Sequence, residues 1–176
     1  MKTKYLFAAL IFLGATPAAP QTPERAVTAE VTVNAAVAEV WKAWTTGEGI
    51  KSFFAPGCKI ELRVFGAFEI YFNPDGPPGQ RGAEGNMILA IQPHKMLSFT
   101  WDAPPTLSNV RQQRTSVVLR FNDLGNNQTK VTLTQIGFGE GEEWDKAFEY
   151  FSHAWQEVVF KHLKDRFETG PIGWNK

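Results

Sequence analysis

Apolar and polar residues alternate from 27 to 33: Val27, Ala29, Val31 and Val33 fall on one side, Thr28, Glu30 and Thr32 on the other. A period of two marks a strand with one buried face. At residue 34 the period lengthens. Val37, Val40, Trp41 and Trp44 recur along one helical face, with Asn34 placed to cap its start. Gly47 and Gly49 end that helix, and a second short one is expected to carry Ile50, Phe53 and Phe54 before Pro56 and Gly57.

Strand periodicity then dominates. In 59–64, Ile60, Leu62 and Val64 oppose Lys59, Glu61 and Arg63; after Gly66, Phe68, Ile70 and Phe72 oppose Glu69 and Tyr71. Residues 73–82, rich in proline and glycine, form a loop. Segments 84–91 and 96–102 make a hairpin around Pro93 and His94, and a second irregular loop spans 103–111. A last hairpin joins 115–121 to 130–136 across Gly125, Asn126 and Asn127, residue types that tolerate a left-handed backbone.

The chain closes on a predicted helix over 142–169, with Glu140, Glu142 and Glu143 at its start and Lys161, Lys164 and Arg166 at its end. That order of charge suits the helix dipole. Trp144, Phe148, Phe151, Trp155, Val158 and His162 form its apolar stripe, and Gly170 with Pro171 stops it. Strands linked by short connections pair antiparallel, and one long amphipathic helix has only their sheet to pack on. The fold class is therefore α+β: a curved antiparallel sheet of about six to seven strands wrapped on a long C-terminal helix, with two short helices after the first strand.

The N-terminus belongs to a different regime. Lys2 and Lys4 precede an apolar run from Tyr5 to Leu13 and then a stretch of small residues and proline, the order of a cleavable signal over residues 1–21. The apolar run is about half of the roughly 20 residues that span a bilayer. Cleavage after Ala15, Ala18 or Ala19 fits equally. A polar leader over 22–26 would follow, then one domain over 27–170 and a tail over 171–176. The expected location is periplasmic or secreted. Cys58 is the single cysteine, so no internal disulfide supports the fold even in an oxidising compartment.

Removal of Lys2 and Lys4 leaves 16 of the 18 basic residues against 18 acidic ones. This balance is not that of a nucleic-acid binder, and no basic amphipathic segment suggests stable attachment to a membrane. Six Trp, fourteen Phe and three Tyr stand out; aromatics on this scale usually build core, and a surplus can line a pocket. No nucleophile elbow or phosphate loop appears. His94, His153 and His162 are scattered, and the last two lack the i, i+4 spacing of a zinc helix. The sequence therefore nominates no catalytic residue, metal ligand or cofactor.

The element order, together with the stretch from Val33-Asn34 to Trp44, Phe65-Gly66-Ala67-Phe68-Glu69, Leu97-Ser98-Phe99-Thr100-Trp101, Val131-Thr132-Leu133-Thr134-Gln135 and Gly137-Phe138, resembles the SRPBCC (START-like, helix-grip) superfamily. Within it the chain is most similar to the AHSA-type group, homologues of the heat-shock-protein ATPase activator, over residues 28–167. The resemblance implies a cavity between the sheet and the last helix, opening near the second short helix. Ligand carriers and polyketide cyclases share this fold.

On that basis Trp44, Phe53 and Phe54 are candidate gate residues, and Phe148, Phe151 and Trp155 either fill the core or roof the pocket. Gln135 continues the inward alternation of Val131 and Leu133, and Trp101 that of Leu97 and Phe99. Both carry polar groups that need partners, from the protein or from a ligand. Arg111, Arg114 and Arg120 would serve surface ion pairs or an acidic ligand group. The leading functional expectation is an exported protein that binds a small apolar or amphipathic molecule. A cyclase, dehydratase or hydrolase using the same cavity is the alternative. An interaction module built on the two proline-containing loops comes third.

Overall fold

In the computed structural model, which describes residues 24–174, strand β1 (Val27–Val33) leads into helices α1 (Val37–Thr45) and α2 (Gly47–Lys51). The signal expected over 1–21 lies outside the described residues. Strands β2 (Gly57–Ile60), β3 (Phe68–Tyr71), β4 (Gly82–Ala83), β5 (Ile88–Gln92) and β6 (Met96–Trp101) follow. A one-turn helix α3 (Ser108–Arg111), β7 (Thr115–Gly125) and β8 (Gln128–Ile136) come next. The last helix comprises α4 (Glu142–His153), a π-helical segment (Ala154–Phe160) and α5 (Lys161–Glu168).

All pairings are antiparallel, in the orders β1-β8-β7-β6-β5 and β2-β3-β4. The two sets join where Ile88 N donates to Gly66 O at 2.9 Å and Phe68 N to Asn86 O at 2.9 Å. Gly66 is required there, because a Cβ would stand 2.1 Å from the Glu61 carbonyl oxygen. Phe68 of β3 and Phe99 of β6 stack at 4.1 Å between ring centroids across this junction. The eight strands thus form one curved antiparallel wall, and the last helix runs against β1.

Most of the periodicity is realised. β1 pairs from Val27↔Gln135 to Val33↔Thr129, and Val27, Ala29 and Val33 are buried. Asn126 and Asn127 adopt the left-handed backbone of the β7–β8 turn. Four expectations are corrected. Strand pairing stops at Ile60, because Glu61 N bonds Ala67 O and closes a loop; Leu62 and Val64 are then each 46% exposed. Phe72 lies one residue beyond β3 and is 52% exposed. Asn34 does not cap α1, whose first turn follows an extended Ala36; its amide oxygen instead accepts from Gln128 Nε2 at 3.0 Å.

The fourth correction concerns the last helix. Beyond Trp155 the buried positions are Val159, Phe160 and Leu163, while Val158 is exposed and His162 only partly covered. A π-helical turn takes up more residues than an α-turn. The segment therefore rotates the stripe about one position away from the 3.6-residue register.

The junction of the two strand sets carries a stacked pair of fully buried rings, Phe68 and Phe99. Phe99→Ala removes a fully buried ring from it and should destabilise the protein by about 3–5 kcal/mol. A smaller shift in urea unfolding would mean that the junction rests on its backbone bonds.

Candidate functional site

A cavity of about 210 Å3 lies between the C-terminal end of β6, strand β4, the 103–111 loop and the last helix. Phe54, Trp101, Phe151 and Trp155 supply its aromatic wall. Trp101 and Trp155 face each other at 5.2 Å between centroids, and Phe54 stacks on Trp101 at 5.8 Å. The mouth carries Phe72, Tyr150 and Val158, exposed residues that also line the cavity. The π-helical segment contributes Ala154, Trp155, Val158 and Val159, so the same widened turn that shifts the helix register shapes one wall.

The four other candidate residues lie outside this wall. Trp44 and Phe53 are fully buried beneath it, packed on each other at 5.0 Å; the Trp44 indole N–H has no partner among the described residues. Phe148 packs on Phe138 and lies under the Arg25 guanidinium, 4.7 Å from its ring centroid. Gln135 is fully buried, and its amide is consumed internally. It accepts from Trp155 Nε1 at 2.6 Å and donates to Thr115 Oγ1 at 2.8 Å, while Thr115 donates to the Trp101 carbonyl at 2.9 Å. The structure therefore brings together Phe54, Trp101, Phe151 and Trp155 and assigns Gln135 to the support behind them.

Sequence reasoning missed Asp102. It follows the inward Trp101, so alternation turns it outward, yet its side chain is only 2% exposed. The reason is a buried network. Asp102 Oδ1 accepts from Asn86 Nδ2 at 2.8 Å, and Oδ2 pairs with Arg111 and Arg114, each at 3.0 Å. Arg111 also donates to the carbonyls of Ala103 and Gly82, the latter at 2.6 Å. One carboxylate thereby ties the 103–111 loop to β4 across the cavity rim. Asn109 ties the same loop to α4 through its backbone N–H and its amide, at 3.0 and 2.6 Å from Glu143.

Two groups at the cavity have displaced ionisation. Burial pushes the Asp102 carboxyl above the ordinary range, against the opposing pull of Asn86, Arg111 and Arg114. Burial likewise raises the Tyr150 phenol, which keeps its proton at neutral pH. Cys58 lies outside the cavity; it is half-buried near the Gly47 carbonyl, and burial raises its thiol.

A curved antiparallel sheet closed on one long C-terminal helix, with a cavity held between them, defines an SRPBCC protein of the helix-grip class. Residues 34–168 match the family described as Activator of Hsp90 ATPase homolog 1-like protein, and the chain belongs to that family. No curated protein matches the chain. Among solved structures, protein MLL2253 from Mesorhizobium loti shares 20% identity at a TM-score of 0.66, over 84% of this chain and 100% of that one. CalU16 from Micromonospora echinospora shares 22% at 0.61, over 86% and 78%. The Aha1 dimer from Colwellia psychrerythraea shares 19% at 0.62, over 82% and 97%. At these identities the likeness is one of fold.

The Asp102 network predicts a pH signature. A carboxyl raised in the native state binds its proton more tightly there than in the unfolded chain. Its contribution to stability is full below the unfolded value and is lost as pH rises through the folded one. Carboxyl NMR should show Asp102 titrating above the ordinary 3.8. In Arg111→Ala the midpoint should climb further, and unfolding should become easier by about 3 kcal/mol, because a buried charge loses a partner. An Asp102 titration at or below the ordinary value would contradict this account.

Proposed function

We propose that the protein binds a small, largely apolar molecule in the cavity between β6 and the last helix, and that it does so after export. The observation that carries the binding reading is the composition of the cavity. Four aromatic side chains wall it, and its polar amide neighbour Gln135 is committed elsewhere. Size narrows the ligand. An apolar cavity of about 150 Å3 accepts benzene, so 210 Å3 suits one ring with a short substituent. The charge pattern of residues 1–21 supports export.

The enzymatic alternative needs an acid or base with a free valence facing the ligand. Asp102 lines the cavity, but both its oxygens are engaged, by Asn86 on one side and by two guanidiniums on the other. That arrangement removes Asp102 from acid–base work and leaves Tyr150 and His153, both exposed at the cavity, as the side chains an enzymatic reading would have to use. For an interaction module on the exposed 73–82 and 103–111 loops, the second loop is committed within the fold, since Arg111 and Asn109 tie it to β4 and α4.

Native mass spectrometry on the chain from its producing cells, followed by titration with ethylbenzene, tests the proposal. The expected result is a non-covalent adduct, lost on denaturation, or saturable uptake of the probe. Ala154→Phe places a ring in the cavity from the helix side and should weaken uptake at least tenfold while circular dichroism stays unchanged. Uptake that ignores this blocking ring would move the ligand site elsewhere.

A further inference from the structure

The two tryptophans that face each other in the cavity are unequal in one respect. The N–H of Trp155 is used, at 2.6 Å from the Gln135 amide oxygen. Gln135 and Thr115 pass that bond onward to the Trp101 carbonyl, which leaves neither side chain oriented to serve the Trp101 indole. The indole N–H of Trp101 meets no acceptor among the described residues. It is not sealed in the packing either, as the unpartnered nitrogens of Trp44 and Arg166 are. Trp101 is only 4% exposed and is one of the side chains that line the cavity.

An indole N–H on the wall of a cavity can be served by water while the site is empty, but it needs an acceptor from any ligand that displaces that water. The nearest acidic group in the wall cannot supply it, because the oxygens of Asp102 are taken by Asn86, Arg111 and Arg114. The Trp101 N–H is therefore a free donor on the aromatic wall, alongside the exposed Tyr150 and His153, while the carboxylate of Asp102 and the amide oxygen of Gln135 are occupied. From this we infer that the ligand is not a hydrocarbon. It is a single-ring or similarly sized apolar molecule bearing an acceptor oxygen, as in a ketone, aldehyde, ester, ether or phenol, and that oxygen receives the Trp101 N–H. Stacking of Phe54 on Trp101 and the tilted packing of Trp155 hold the indole plane, so the donor direction is set before the ligand arrives. The inference rests on the binding reading above and specifies the chemistry of its ligand.

Acetophenone and ethylbenzene have the same carbon skeleton and differ by one carbonyl oxygen, which makes them a matched pair of probes. Each is titrated into the full chain while the tryptophan indole 1H–15N signals are followed. Acetophenone should move the Trp101 indole proton to lower field than ethylbenzene does at equal saturation, with the Trp155 signal showing no such difference. In Trp101→Phe, the ratio of the two dissociation constants should shift against acetophenone by about fivefold, the size of one net hydrogen bond. The wild-type signals decide the question even if that variant folds poorly. Binding of both probes with the same Trp101 indole shift would overturn the inference and leave the cavity reading intact. If neither probe bound, the cavity reading would fall and take the inference with it.

Discussion

A buried primary amide has two donors and an acceptor to satisfy, and it can occupy a core only where the surrounding structure satisfies them. Gln135 stands near the C-terminal end of β8, which runs between β1 and β7, and takes its partners from the last helix and from the start of β7. This short relay, from the Trp155 indole through Gln135 and Thr115 to the backbone of β6, pins the long helix to the sheet at one point. Apolar packing alone would let a helix slide or rotate over an aromatic surface at modest cost. A directional bond between two fully buried side chains does not, because losing it strands an N–H and a carbonyl together. The position of Trp155, and with it one wall of the cavity, follows from that bond.

The opposite wall is held by charge. The ion pairs of Asp102 are not an obvious source of stability, since desolvation of a buried carboxylate offsets much of the attraction to its guanidiniums. Their effect is positional. Arg111 reaches two loop carbonyls as well as Asp102, so segments distant in sequence share a single anchor at the cavity rim. An apolar cavity between a hydrogen-bonded helix and an ion-paired loop can stay open without collapsing onto itself. This division, with polar groups behind the walls and apolar ones in front, is what a site for a small apolar molecule requires.

Much of the fold was legible in the sequence because alternation and helical spacing act locally. β1, β3, β6 and the β7–β8 hairpin all follow from periods of two bounded by turn residues. The failures came where periodicity lacked a partner. Residues 61–64 alternate as well as any strand, yet the chain loops back through Glu61 and Ala67, and no neighbouring strand is left to receive them. Phe54, Phe151 and Trp155 were nominated through the family resemblance and Trp101 from its inward face, and all four lie on the cavity. Gln135 was legible as buried, but the choice between a ligand and a structural partner depended on Thr115, twenty residues away. Asp102 was hidden for the same reason: its partners come from α3, the residue just before β7 and the β4–β5 turn, and no local pattern announces them.

The π-helical segment has an implication for how such a site can diversify. A π-turn is equivalent to one residue inserted into an α-helix, and here it lies beside the cavity, with α5 continuing beyond it. Deleting one residue from Ala154–Phe160 would return the segment to α-geometry and leave the residues of α5 facing the sheet as they do now, while the side chains of the segment itself would change places along the cavity wall. A change of length in this helix is therefore a discrete route to a new ligand preference. A single codon gained or lost in this helix can exchange a whole face of the cavity, where point substitution changes one side chain at a time.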